Sequence, residues 1–85
     1  MKIEWGNEKN EWLKENRKIS FEQVKAEIEA GRNTEPKVNP AHPHQFYTIV
    51  KLDGYPVFVP FVVMEGGGWF LKTAYKSRKY KEAKR

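Results

Sequence analysis

Phe46-Tyr47-Thr48-Ile49-Val50-Lys51-Leu52, then Asp53-Gly54, then Tyr55-Pro56-Val57-Phe58-Val59-Pro60-Phe61-Val62-Val63-Met64 is the stretch that decides the fold. Two runs of β-branched and aromatic residues separated by Asp-Gly predict an antiparallel hairpin, because a type I′ turn needs positive φ at both central positions and this pair tolerates it. The second run is the more continuously apolar and is expected to be the most buried strand. Pro56 and Pro60 have no N–H to give to a ladder, so each must occupy a strand end, a bulge or a position whose N–H side is unpaired. Gly66-Gly67-Gly68 allows a further reversal into Trp69-Phe70-Leu71-Lys72-Thr73-Ala74-Tyr75, which completes a three-stranded meander. Strict alternation along that last strand puts Trp69, Leu71, Thr73 and Tyr75 on one face and Phe70, Lys72 and Ala74 on the other. Lys72 and Tyr75 are therefore expected on opposite faces.

Upstream of the hairpin the pattern is helical. Lys2-Ile3-Glu4-Trp5 reads as a short edge strand, Gly6-Asn7 as a break, and Glu8 to Asn16 as a polar helix whose apolar side chains are Trp12 and Leu13, laid on a larger element. Ser20-Phe21-Glu22-Gln23 has the S-x-x-Q form of a capping box and fixes the start of a second helix. Ile19 and Val24 are spaced for a hydrophobic staple, Phe21, Val24 and Ile28 form an apolar stripe, and Gly31 reads as the residue that ends the helix. Arg32 to His44, with Asn33, Pro36, Asn39, Pro40 and Pro43, suits neither a helix nor a central strand and is expected to be a loop long enough to carry function. Ser77 can cap a short terminal helix from Arg78 to about Lys84. The order predicts a two-layer α+β fold with two N-terminal helices on one face of a small antiparallel sheet and a short basic C-terminal helix.

The 85 residues bound what this scaffold can do. A chain of that length supports one core, so residues 1–85 are expected to form a single domain. Three Trp, four Tyr and five Phe supply too much large apolar surface for a disordered chain. With no Cys, disulfide frameworks, thiolate nucleophiles and Cys-ligated zinc are excluded, and a reducing compartment is permitted. The longest apolar run, Tyr55 to Met64, is well short of the roughly 20 residues that a membrane helix needs, and the N-terminus lacks the apolar core of a signal peptide. No membrane partner is expected. The net charge of +5 is unevenly spread: Lys72, Lys76, Arg78, Lys79, Lys81, Lys84 and Arg85 stand against Glu82 alone in residues 72–85, so residues 1–71 net −1. Such a basic end attracts phosphate polyanions or an acidic protein in a salt-sensitive way.

Nucleotide-cradling motifs are absent, and Gly66 to Gly68 lies between strands, where it reads as a turn. His42-Pro43-His44 has no Asp, Glu or Cys beside it and does not complete a metal site, so neither metal nor cofactor is expected. Asp53, the only Asp, is accounted for by the hairpin turn, which removes a Ser-His-Asp triad. What remains is Lys72, Tyr75, Ser77, Arg78 and Lys79, on the third strand and its exit. Cleavage of RNA needs a base for the 2′-hydroxyl, cations for the charged phosphorane and an acid for the 5′-oxygen. Arg holds phosphate through two N–H groups, Lys adds a point charge, and His42 or His44 could move protons. The same set serves equally as a phosphate-binding surface without chemistry.

Ile3-Glu4-Trp5 followed by Glu8-Lys9-Asn10, and Lys18-Ile19-Ser20-Phe21-Glu22 with a Trp-to-Phe interval of sixteen, resemble the opening of BrnT-type toxins, which reads F-x-W-D-x-x-K and later H-G-V-S-F-E. His42-Pro43-His44-Gln45, Val59-Pro60-Phe61-Val62 and Leu71-Lys72-Thr73-Ala74-Tyr75-Lys76-Ser77-Arg78-Lys79 resemble the variants that end in K-T-x-Y-P-S-R-K. The resemblance spans nearly the whole chain. It implies a fold of the RelE/ParE superfamily and the toxin role in a type II toxin–antitoxin pair. It further implies a metal-independent ribonuclease that arrests translation in the cytoplasm and is neutralised by a cognate antitoxin, with RNA as substrate and the ribosome as a further partner. Carried over residue by residue, it points to Lys72, Tyr75, Arg78 and His44 as the catalytic set and to Arg17, Lys76, Lys79 and Lys81 as RNA-binding. The sequence departs from the pattern at Gly6, where the family has Asp, at Arg17-Lys18, where it has His-Gly, and at Lys76, where it has Pro. The role of the missing His then falls to His44, to Arg17 or to no residue. A non-catalytic nucleic-acid or protein-binding module and a ParE-like topoisomerase poison are the rival readings.

Overall fold

The computed structural model describes residues 1–77, which run β1 (Ile3–Trp5), α1 (Asn7–Arg17), α2 (Phe21–Glu29), β2 (Lys37–Val38), β3 (Phe46–Leu52), β4 (Tyr55–Val63), β5 (Trp69–Leu71) and β6 (Tyr75–Lys76). This is an α+β arrangement of two helices and a six-stranded sheet ordered β1-β5-β4-β3-β2, with β6 paired to β4. The meander is present as expected, with Asp53 and Gly54 both at positive φ (52° and 81°) in the β3–β4 turn. The expectation of a purely antiparallel sheet is corrected, because β1 pairs with β5 in parallel. The α1–α2 pair returns the chain so that β3 starts in β1's direction; β5, two antiparallel strands later, shares that direction and meets β1 along its length. The terminal helix expected from Arg78, and with it Arg78, Lys79 and Lys81, lies outside the described residues.

Local chemistry sets the helix ends. At α2 the Ser20 Oγ accepts from the Gln23 N–H at 3.2 Å while the Ser20 N–H donates to the Gln23 Oε1 at 3.0 Å, which is the capping box in full. A second cap comes from α1: Asn10, buried, accepts the Phe21 N–H at 2.7 Å through Oδ1 and donates to Glu22 Oε1 at 2.9 Å through Nδ2. That contact holds the Glu22 carboxyl below its ordinary pKa of 4.5, with Asn10's donated bond the largest cause. Beyond α2, Gly31 takes φ 75° and ends the helix, and the Arg32 guanidinium, hydrogen-bonded to Glu27, lowers that carboxyl's pKa. α1 ends at Lys18, in a left-handed conformation with φ 58° that glycine adopts more readily.

The helices cover the sheet face that carries Ile3, Val50, Val57, Val59, Phe61 and Leu71, and add Leu13, Ile19, Phe21, Val24 and Ile28 to the same core. Trp5 packs its ring on Phe21, and Trp69 stacks on Phe61 with centroids 3.9 Å apart. α1 lies on the sheet as expected, but of its two apolar side chains Leu13 alone is fully buried, whereas Trp12 is 42% exposed. The Arg32–His44 loop is more ordered than its composition suggested. Lys37–Val38 form β2 on β3; Asn39, buried, exchanges bonds with Gln45 and Ala41; and Thr34 joins Thr48 and Ile49.

One irregularity decides which residues meet. Phe61 pairs with Leu71 across β4–β5, but Phe58 pairs with Tyr75 across β4–β6. Lys72-Thr73-Ala74 thus stand opposite Val59-Pro60, one residue more on this side, which is a β-bulge. The Pro60 carbonyl accepts from the Lys72 N–H at 2.9 Å. Since a strand residue's N–H and C=O point to the same side, the missing Pro60 N–H faces the bulge, where regular pairing is interrupted. Pro56, second in β4, accepts from the Ser77 N–H in the same manner.

Candidate functional site

Because of the bulge, the strict alternation expected from Trp69 to Tyr75 fails. Leu71 shares the core face with Phe61, so Lys72 falls on the opposite face, and Tyr75 falls there too by pairing with Phe58. Lys72 and Tyr75 are on one face, not two. There the Tyr75 ring stacks on Phe58 with centroids 5.2 Å apart, and Phe58 stacks on Tyr47 at 4.5 Å.

Arg17 reaches this strand from the last turn of α1. Its Nη1 donates to the Ala74 carbonyl at 3.0 Å and lies 3.5 Å from Thr73 Oγ1, so it is tied to the bulge itself. The guanidinium carbon is 4.8 Å from the centre of the Trp12 ring and 5.8 Å from that of Tyr75. Arg17, Ile19, Tyr75 and Lys76 line a shallow cleft. Lys76 Nζ stands 5.2 Å over the Tyr55 ring, and Lys72 Nζ 5.5 Å over that of Phe70. The ion pairs among the described residues are Lys2–Glu4, Lys14–Glu11 and Arg32–Glu27, so Arg17, Lys72 and Lys76 have no carboxylate partner there. Two cations, Arg17 and Lys76, and the Tyr75 phenol therefore line one cleft at the β6 edge of the sheet, while Lys72 stands over Phe70 on β5. Such a set can hold a phosphate and present a hydroxyl to it.

The histidines lie elsewhere. His42 and His44 are exposed in the turn before β3, where the His42 backbone bonds to Asn39 and Gln45. This turn enters the sheet at Phe46, three residues or about 10 Å along β3 from Ile49, the residue that faces Phe58 in Tyr75's row. Of the predicted set, Arg17, Tyr75 and Lys76 come together around one cleft, Lys72 shares Tyr75's face but stands over Phe70, and His44 is apart from them. Trp12 is the member of this neighbourhood that sequence reasoning assigned to packing. Its one sequence signal is placement, five residues before Arg17 on a helix whose residues other than Leu13 are polar. Groups of three or more His, Asp or Glu suited to a metal ion are not found among the described residues, and no described helix is long and apolar enough to cross a membrane. Comparison with models of known protein families, with curated protein sequences and with solved structures finds no match.

Proposed function

We propose that this chain is the toxin of a type II toxin–antitoxin pair, with a RelE-like fold and metal-independent ribonuclease activity. The observation that carries the reading is the Arg17 guanidinium, anchored at the bulge beside the Tyr75 ring and without a carboxylate partner among the described residues. The 2′-hydroxyl attacks the adjacent phosphorus, the P–O5′ bond breaks, and a 2′,3′-cyclic phosphate and a 5′-hydroxyl result. Arg17, with Lys72 and Lys76, balances the charge of the phosphorane, the Tyr75 hydroxyl gives its proton to the departing 5′-oxygen, and solvent takes the proton of the 2′-hydroxyl. Arg78, three residues beyond Tyr75, adds a further cation on sequence grounds. A cognate antitoxin neutralises the activity by covering these cations with its own acidic groups.

The test is a structured RNA incubated with purified protein in EDTA, followed by analysis of the fragment ends. Wild type is expected to leave 2′,3′-cyclic phosphates. Arg17→Ala is expected to cut about 100-fold more slowly, and Tyr75→Phe by a similar factor, with both variants folded. The distance of His42 and His44 from Tyr75's row favours one second reading, a module of the same fold that binds RNA without cutting it. RNA retained by wild type but left intact, alone and with translating ribosomes, selects that reading. Intact RNA together with DNA damage in expressing cells selects a topoisomerase poison.

A further inference from the structure

Trp12 is an indole exposed on a helix whose next residue is fully buried, and Lys9 Nζ lies 4.5 Å and the Arg17 guanidinium 4.8 Å from its ring centre. Arg17 cannot turn away freely, because Nη1 is committed to Ala74 and Thr73. Of its five N–H donors, those on Nε and Nη2 make no hydrogen bond among the described residues. Two partly exposed rings, Trp12 and Tyr75, thus flank one fixed guanidinium. Trp12 also lines a second cleft with Glu8, Glu11 and Glu15, which repel phosphate. A ligand here places its anion at Arg17 and a neutral planar group on the indole.

We infer that Trp12 is a base-stacking subsite, so that Arg17 grips one phosphate of an unpaired strand while Trp12 takes the base beside it. The inference rests on the RNA-directed reading above and adds to it the class of strand bound. A base inside a duplex keeps both faces covered by its neighbours, so stacking on a protein ring selects single strands. Rings and cations engage bases and phosphates, which RNA and DNA share, so a single DNA strand binds as well and acts as an uncut competitor.

The probe is a short labelled 2′-O-methyl oligoribonucleotide, which has no free 2′-hydroxyl and reports binding apart from cleavage. Anisotropy is expected to show the single strand bound at least about fivefold more tightly than the same strand annealed to its complement. Trp12→Leu is expected to lose about fivefold or more in affinity, and Trp12→Phe to retain most of it. Single-stranded DNA of the same sequence is expected to displace the probe. Because Trp12 is exposed, Trp12→Leu is expected to keep the wild-type melting temperature. Equal affinity for single strand and duplex, or wild-type affinity in Trp12→Leu, overturns the inference. The two proposals fail separately. RNA cut by wild type and Trp12→Leu alike at low substrate concentration removes the subsite and leaves the ribonuclease, whereas Trp12-dependent binding without cleavage removes the ribonuclease and leaves the subsite.

Discussion

Asn10 ties α1 to the start of α2 through two side-chain hydrogen bonds. It satisfies the first N–H of α2 from outside that helix, and it does so while buried, so Asn10→Ala leaves the Phe21 N–H without its acceptor. The expected loss is about 2 kcal/mol, measured by urea unfolding. The same residue links stability to pH. Glu22's folded pKa lies below its unfolded value, so the carboxylate favours the native state above about pH 4.5, and this contribution disappears as the pH falls through the lower folded value. Wild type should therefore lose stability on acidification below pH 4.5 more steeply than Asn10→Ala, in which the largest cause of the shift is gone. Parallel acid-unfolding profiles would contradict the assignment. Ser20 was legible as a cap from four consecutive residues, but Asn10, eleven positions upstream of Phe21, left no such trace.

Among the elements, β4 decides the layout, and Pro60 stands opposite the point where β5 stops. The hairpin turn, the capping box and Gly31 could all be read because each is fixed within a few residues. The bulge could not, since Pro60 restricts the options to an end, a bulge or an unpaired side without choosing among them. The face of Tyr75 depends on that choice. Pro60→Ala returns an N–H aimed at the bulge, in a strand whose residues 56–61 are all buried. If the bulge persists, that donor lacks a regular partner, and the unfolded chain also gains freedom that proline denies it. The variant is expected to lose about 1–3 kcal/mol, and amide exchange should report the weakening at Lys72 to Tyr75 before it reaches the β3–β4 hairpin. A variant as stable as wild type, with uniform protection along β4, would mean that the bulge is not proline's doing.

At the scale of the molecule, charge is concentrated where chain segments far apart in sequence converge. Residues 1–71 net −1, yet Arg17 of that segment is tied to Thr73 and Ala74, in the stretch between Lys72 and Lys76, through bonds spanning 56 and 57 positions. The basic end was legible from composition; the recruitment of Arg17 to it was suggested by the family pattern and by nothing in the spacing, and the remoteness of His44 needed the sheet register. If this convergence is the phosphate-binding surface, each of its cations displaces counterions from a bound strand. The logarithm of affinity for single-stranded RNA should fall linearly with the logarithm of salt concentration, and each phosphate contact contributes about 0.7 to the slope. Lys72→Gln and Lys76→Gln are each expected to reduce the slope by about 0.7. Lys2→Gln, which removes the same charge from a lysine already paired with Glu4, is expected to leave it unchanged. A slope that responds equally to all three would show that RNA senses the net charge of +5 and not the geometry of the β6 edge.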